Sequence, residues 1–151
     1  MYPLFFNLYR RAPDSALRKV EELNAWVDEN IERGFVFDVT TAIDPYNAGL
    51  MCLYSEEGYV PEKIVNWSPE ILGYLTEDEL RAVALHEVGH WVLGHVPGIS
   101  DEDELKADLF AVDLLGYDLV IHTLEKLTHV ISYKDSLKAR ASELRNMKGS
   151  T

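Results

Sequence analysis

At 151 residues the chain suits a single domain, 1–151, with an adequate core and no room for a second of ordinary size. Apolar residues at 47% and charged residues at 26% match a globular protein and exclude a disordered or membrane-embedded one. The formal charge of −12 repels phosphate backbones and anionic lipid, so nucleic-acid and membrane-surface partners have no electrostatic support.

The apolar stretch 1–9 precedes Arg10-Arg11, the reverse of the order in a secretory signal, and is too short to span a bilayer. Cys52 is the lone cysteine, so no intramolecular disulfide forms, and a cytoplasmic location is expected. Pro13-Asp14-Ser15 then opens a helical pattern. Leu17, Val20, Leu23, Ala25-Trp26-Val27 and Ile31 share a face and Gly34 is the stop, which predicts a helix over 14–33. Residues 35–40 are aromatic and β-branched and read as a strand, broken by Asp44-Pro45-Tyr46-Asn47. A second strand is expected over 50–54, a turn at Glu56-Glu57-Gly58, and a third strand over 63–67, short enough to sit near a sheet edge. The small sheet thus falls within 35–67.

Ser68-Pro69 starts a short helix over 69–75, since proline suits the first helical position. Thr76-Glu77-Asp78-Glu79 is a capping box for a helix to Leu93, with Gly94 as C-cap and Pro97 barring extension. Ser100 caps another that stops at Gly116, so 69–115 carries the metal-site helices discussed next. Asp118 is read as the cap of a helix to about 131. Asp135 or Ser136 begins a last one with sparse apolar positions and a frayed tail after Met147, so 118–147 forms the C-terminal helices.

The chemistry centres on His86-Glu87-Val88-Gly89-His90. Residues four apart on a helix lie about 400° around it, so both imidazoles project from one face at a spacing a shared ion requires. A bound divalent ion lowers the pKa of water from 15.7 toward about 7, and Glu87 beside the imidazoles is placed to take the proton. Catalytic zinc sites use three protein ligands where structural sites close with four, and Glu104 completes a His₂Glu set with His86 and His90. Asp108, one turn beyond Glu104, is expected to accept the far N–H of a ligand imidazole, His86 by preference. Against this stands the plainer reading of Asp101 to Glu104 as a solvated acidic run, which the histidine motif makes the weaker one.

His95 competes as third ligand, but its spacing from His90 departs from the metzincin pattern, and it reads as a helix-end histidine favoured by the macrodipole. Gly89 costs roughly 1 kcal/mol against alanine in mid-helix, which implies close packing there. His122 and His129, seven apart on one later helix, are candidate oxyanion donors or ordinary helix histidines.

From about residue 47 to 140 the chain resembles the gluzincin metallopeptidases that include the CAAX-prenyl endopeptidases and HtpX-type proteases, and most resembles the soluble single-domain minigluzincins. The match runs through Ile64-Val65-Asn66-Trp67-Ser68, Leu72, Leu75-Thr76, Glu79-Leu80 and Ala82-Val83. It continues in Ala84-Leu85-His86-Glu87-Val88-Gly89-His90 and Glu104-Leu105-Lys106-Ala107-Asp108, then Leu124 to Leu127 and Ser136 to Arg140. The resemblance implies an α+β zincin-like fold with His86, His90 and Glu104 on one catalytic Zn²⁺, Glu87 as general base and Asp108 as orienter. It also implies Asn47-Ala48 as the start of a substrate-facing strand. Lys134-Asp135 stand where the family often carries His-Pro, so Tyr133 and Lys134 join His122 and His129 as oxyanion candidates.

The expected activity is endopeptidase, with peptide or protein substrate added as an extended strand on an edge formed by 47–54 or by 63–67. Residues after Tyr133 are expected to cover the cleft and hold the enzyme latent. Neither nucleic acid nor membrane insertion is expected, and the chain is read as a monomer or small homo-oligomer. A second resemblance, through His86 to His90, Leu93-Gly94-His95 and Ala107-Asp108, is to the ImmA-type repressor-cleaving proteases. The rival class is a non-catalytic, zinc-stabilised protein-binding module, which has no use for Glu87.

Overall fold

The structure is a computed structural model, and it describes residues 13–97 and 100–150. The apolar stretch 1–9 and its arginine pair lie outside the described residues. Helix α1, Asp14–Asn30, buries Ala16, Val20, Leu23 and Val27 at steps of three and four, the stripe its sequence encodes. It ends short of the expected residue 33. Asp28, Glu29 and Glu32 put negative charge at the negative end of the helix dipole. The Val27 carbonyl takes the amides of both Ile31 and Glu32, and the Asp28 side chain accepts the Gly34 N–H at 3.1 Å.

Strands β1 (Val36–Val39), β2 (Ala48–Ser55) and β3 (Gly58–Trp67) form one sheet in the order β1-β3-β2. β1 runs parallel to β3, and β2 pairs antiparallel with it from Ala48↔Trp67 to Ser55↔Gly58. Over Ile64 to Trp67 the third strand is therefore not an edge. Its inner half, with Val65 and Trp67 fully buried, matches the expected strand, but the outer half had no alternation to announce it and contains Pro61. Proline is tolerated there because its partner Cys52 follows a break in register at Leu50/Cys52. Of the two edges proposed for substrate, only β2 is one.

Helix α2 (Pro69–Tyr74) is capped by Ser68, whose side chain accepts from the Ile71 N–H. It leads into α3 (Glu77–Leu93) and α4 (Asp101–Leu115). Helix α5, Tyr117–Leu127, starts directly after Gly116 at φ +91°, so Asp118 is not its cap but pairs with Lys148. It also stops four residues before the expected end at 131. The Thr128 hydroxyl bonds the Glu125 carbonyl, and such local side-chain bonds favour a helix end over its continuation. Helix α6, Lys134–Gly149, continues past Met147, and Leu137, Ala141 and Leu144 are buried along one face. The largest fully buried side chains include Trp67, Ile71, Leu72, Leu85 and Leu144, so sheet, α2, α3 and α6 share one apolar core. Among the described residues no helix is long and apolar enough to cross a membrane.

Candidate functional site

Both ends of α3 are fixed by local chemistry. Thr76 accepts from the Glu79 N–H while the Glu79 carboxylate accepts from the Thr76 N–H at 2.7 Å, and Gly94 closes the other end at φ +73°. Between them Leu85, Val88 and His90 are fully buried, so the helix threads the interior and its imidazoles cannot drift. Gly89 shows why no side chain stands there: a Cβ would lie 3.0 Å from the Phe110 Cβ of α4. That close approach brings α4 onto the histidine face. Ser100 caps α4 through the Asp103 N–H, and the acidic first turn, Asp101 to Glu104, suits a helix N-terminus.

His86, His90 and Glu104 each offer one ligand atom within 4.8 Å of the others. His86 Nε2 and His90 Nε2 stand 3.1 Å apart, and Glu104 Oε2 lies 2.9 Å from the first and 3.3 Å from the second. Donors about 2.0–2.2 Å from a tetrahedral zinc are roughly 3.3–3.5 Å from one another, so the cluster needs only slight expansion to accept the ion. Two imidazoles and a carboxylate also match zinc chemically. Burial disfavours a charged His86 ring, but the carboxylates of Asp108 and Glu104 outweigh it and push its pKa up to about 10. Burial works against an ionised Glu104 too, yet the two imidazoles hold its carboxyl well below the usual range. The pocket favours positive charge at the point where the three donors meet.

Asp108 is 1% exposed and accepts from His86 Nδ1 at 2.7 Å, the ring nitrogen turned away from the cluster. Its carboxylate also receives a fork from Arg140, Nε to Oδ2 at 2.7 Å and Nη2 to Oδ1 at 2.9 Å. These partners overcome the penalty of burial and keep its pKa low. Sequence reasoning missed Arg140. Its signal was a lone cation between Leu137, Ala141 and Leu144 on the buried face of α6, a position that requires a buried acid opposite. His90 Nδ1 is buried with no hydrogen-bond partner among the described residues, so only His86 has a carboxylate on the ring nitrogen turned away from the cluster.

Glu87 is 6% exposed, and its Oε2 accepts the Leu50 N–H of β2 at 2.9 Å. Burial raises its pKa despite the neighbouring imidazoles, which makes it a better proton acceptor than a free carboxylate. Asn47 and Ala48 enter β2 at the same place. Asn47 exchanges backbone and hydroxyl bonds with Ser68, at 2.9 and 3.1 Å, and its side-chain oxygen accepts from the Tyr133 hydroxyl at 2.8 Å.

All of these groups except His90, Leu50 and Ser68 line one cleft of about 550 Å³. Its polar lining includes Asn47, His86, Glu87, Glu104, Asp108, Tyr133 and Arg140, and its apolar lining Ile71, Val83, Val120, Leu124, Leu127 and Ile131. Of the four oxyanion candidates, Tyr133 alone lines it. His122 is exposed beside Glu79 at 3.3 Å, and His129 and Lys134 are exposed and do not line the cleft, because α5 turns its apolar face, Val120, Leu124 and Leu127, inward. His95 pairs with Asp103 at 3.3 Å and stands outside the ligand cluster.

A helix bearing two histidines and a glutamate, an edge strand beside it, and a second helix returning a carboxylate define a zincin-like metallopeptidase fold. Comparison with known proteins gives the family. Residues 18–100, more than half of the chain, match peptidase family M48, and the chain belongs to that family. It is similar to a CAAX prenyl protease 1 homolog of Arabidopsis thaliana, 28% identical over 95% of this chain and 39% of the relative. A protein of the same name from Oryza sativa subsp. japonica is 31% identical over 63% of this chain and 22% of its own length. The chain thus spans about two-fifths or less of these curated relatives. No solved structure matches it significantly.

Proposed function

We propose that the chain is a zinc-dependent endopeptidase in which His86, His90 and Glu104 hold the ion, Glu87 is the general base and Asp108 orients His86. The observation that carries this reading is the meeting of those three donors at 2.9–3.3 Å beside the buried carboxylate of Glu87. Bound zinc would supply Lewis acidity and a more acidic water. Glu87 takes the proton of the attacking water and returns it to the leaving amine, a role its raised proton affinity suits. Tyr133, whose pKa burial and the Glu87 charge push up to about 12, stays a neutral donor and is the candidate for the developing oxyanion.

Substrate lies extended along the inner β2 edge beside Asn47, Ala48 and Gly49, with an apolar side chain against the apolar lining of the cleft. The relatives are named for CAAX prenyl proteolysis, and for this chain the proposal stops at a peptide or protein substrate. Within the family we read the chain as a member of the soluble, single-domain minigluzincin type. The ImmA-type reading shares the same site but lacks support from the family match. Helix α6 is better read as a wall than as a removable cover, because Arg140 props Asp108 and Leu137, Ala141 and Leu144 belong to the core.

Glu87→Gln should retain zinc and lose peptide hydrolysis by about 100-fold or more, the usual worth of a general base. His86→Ala and Glu104→Ala should lose the metal as well. A Glu87→Gln variant that digests a generic peptide as fast as wild type overturns the mechanism and favours the zinc-stabilised binding module.

A further inference from the structure

We propose that the outer halves of β2 and β3 form an exosite for the protein substrate, gripping an apolar stretch of that polypeptide beyond the scissile bond and favouring a basic residue at its far end. The inference rests on the peptidase reading of the cleft. β1 pairs with β3 only over Ile64 to Trp67, so beyond Ile64 the hairpin projects as two strands, with Cys52 to Ser55 against Gly58 to Pro61. On this arm Leu53 is 52%, Tyr54 77%, Tyr59 58% and Val60 46% exposed. The register sets Leu53 opposite Val60 and Tyr54 opposite Tyr59, so one apolar pair lies on each face. Two-stranded hairpins are marginal in water, and clustered exposed apolar side chains mark interaction surfaces.

Continuity with the cleft identifies the occupant. Ala48 and Gly49 line the cleft, Glu87 holds the Leu50 N–H, and the same strand then runs out to Ser55. At about 3.3 Å per residue the arm's end lies roughly 17 Å from that contact, within reach of a chain already laid along the edge. Among the described residues no further strand pairs with the outer side of β2, so beyond the Leu50 N–H that Glu87 holds, such a chain meets no competing strand. Charge selects among partners. Residues 48–62 contain no lysine or arginine, and Glu56, Glu57 and Glu62 make the arm acidic. An anionic lipid surface or a second copy of this chain, at −12, is disfavoured, and a lysine- or arginine-bearing peptide is attracted.

The test uses three fluorogenic peptides with one scissile core: a short one, and two extended on either side by four apolar residues and a lysine. With zinc-loaded wild type, one extended peptide should exceed the short one at least tenfold in kcat/KM, through KM. The double variant Leu53→Ser/Tyr54→Ser should erase that gain and leave the short peptide unchanged. Equal loss on short and long peptides, or no loss on either, overturns the proposal, as does a wild-type dimer that the double variant converts to monomer. Anisotropy titrations on Glu87→Gln keep the two readings apart. If wild type cleaves nothing, the peptidase reading fails, while the arm still predicts that Glu87→Gln binds the extended peptide at least tenfold more tightly than the short one; equal binding sinks the arm alone.

Discussion

Asp108 sits between the His86 ring it hydrogen-bonds and the Arg140 guanidinium that balances its charge, and neither contact is replaceable by a point charge. Removing Arg140 leaves a buried carboxylate short of its partner, and breaking a buried pair this way costs about 3–5 kcal/mol. Arg140→Ala should therefore lower the melting temperature sharply. Arg140→Lys keeps the charge without the fork and should fold, while weakening zinc binding by roughly 10- to 100-fold, as loss of outer support for a metal ligand does. Competition with a chelator measures this, and unchanged affinity in Arg140→Lys would contradict the positioning role. Glu79 makes a separate, pH-dependent contribution. Burial opposes its ionisation, but the Lys126 ammonium at 2.8 Å and the capping bond from Thr76 outweigh it and lower its pKa. A carboxyl lowered on folding adds stability that is present above its unfolded value and lost as pH falls through the folded one. Glu79→Gln keeps an acceptor for the cap but loses the charge, so urea melts should show a shallower acid loss than wild type below about pH 4.5.

At the scale of elements, the close approach of α3 and α4 makes the site, and Gly89 is its gauge. Gly89→Ala gains about 1 kcal/mol of helix propensity but must push Phe110 aside, and overpacking costs about 1–3 kcal/mol. Three Phe110 atoms within 3.1 Å of the new methyl decide for the second effect, so the variant should melt lower and bind zinc more weakly; a more stable variant would show the fit to be loose. The helices were legible because their caps are local. Thr76, Glu79 and Gly94 bound α3, and Ser100 and Gly116 bound α4, without help from the rest of the chain. The sheet was less so. The outer half of β3 is held by pairing with β2 rather than by alternation, so nothing in residues 58–62 announced a strand, and the shortened segment passed for an edge. The paired imidazoles of the candidate cluster shared the helices' legibility, since i, i+4 spacing fixes a face. Arg140, 32 residues from Asp108, did not, because its meaning depends on which helix faces it.

Across the whole molecule, the C-terminal helix is part of the site rather than an appendage. Leu144 is fully buried, Leu137 and Ala141 nearly so, and Arg140 reaches the buried acid of α4. Truncation after Tyr133 should therefore yield an unfolded or aggregated chain, seen by circular dichroism. A folded, more active truncation product would restore the reading of residues 134–151 as a latency segment. The fold's overall class followed from capped helices and one small sheet, whereas the placement of α6 came from long-range packing that no local pattern encodes. The central claim is that three side chains from α3 and α4 share one ion. Zinc per chain, measured by elemental analysis after exhaustive dialysis, tests it most directly: wild type and Glu87→Gln should each hold one ion and Glu104→Ala none. A Glu104→Ala protein that keeps its full zinc would contradict the account.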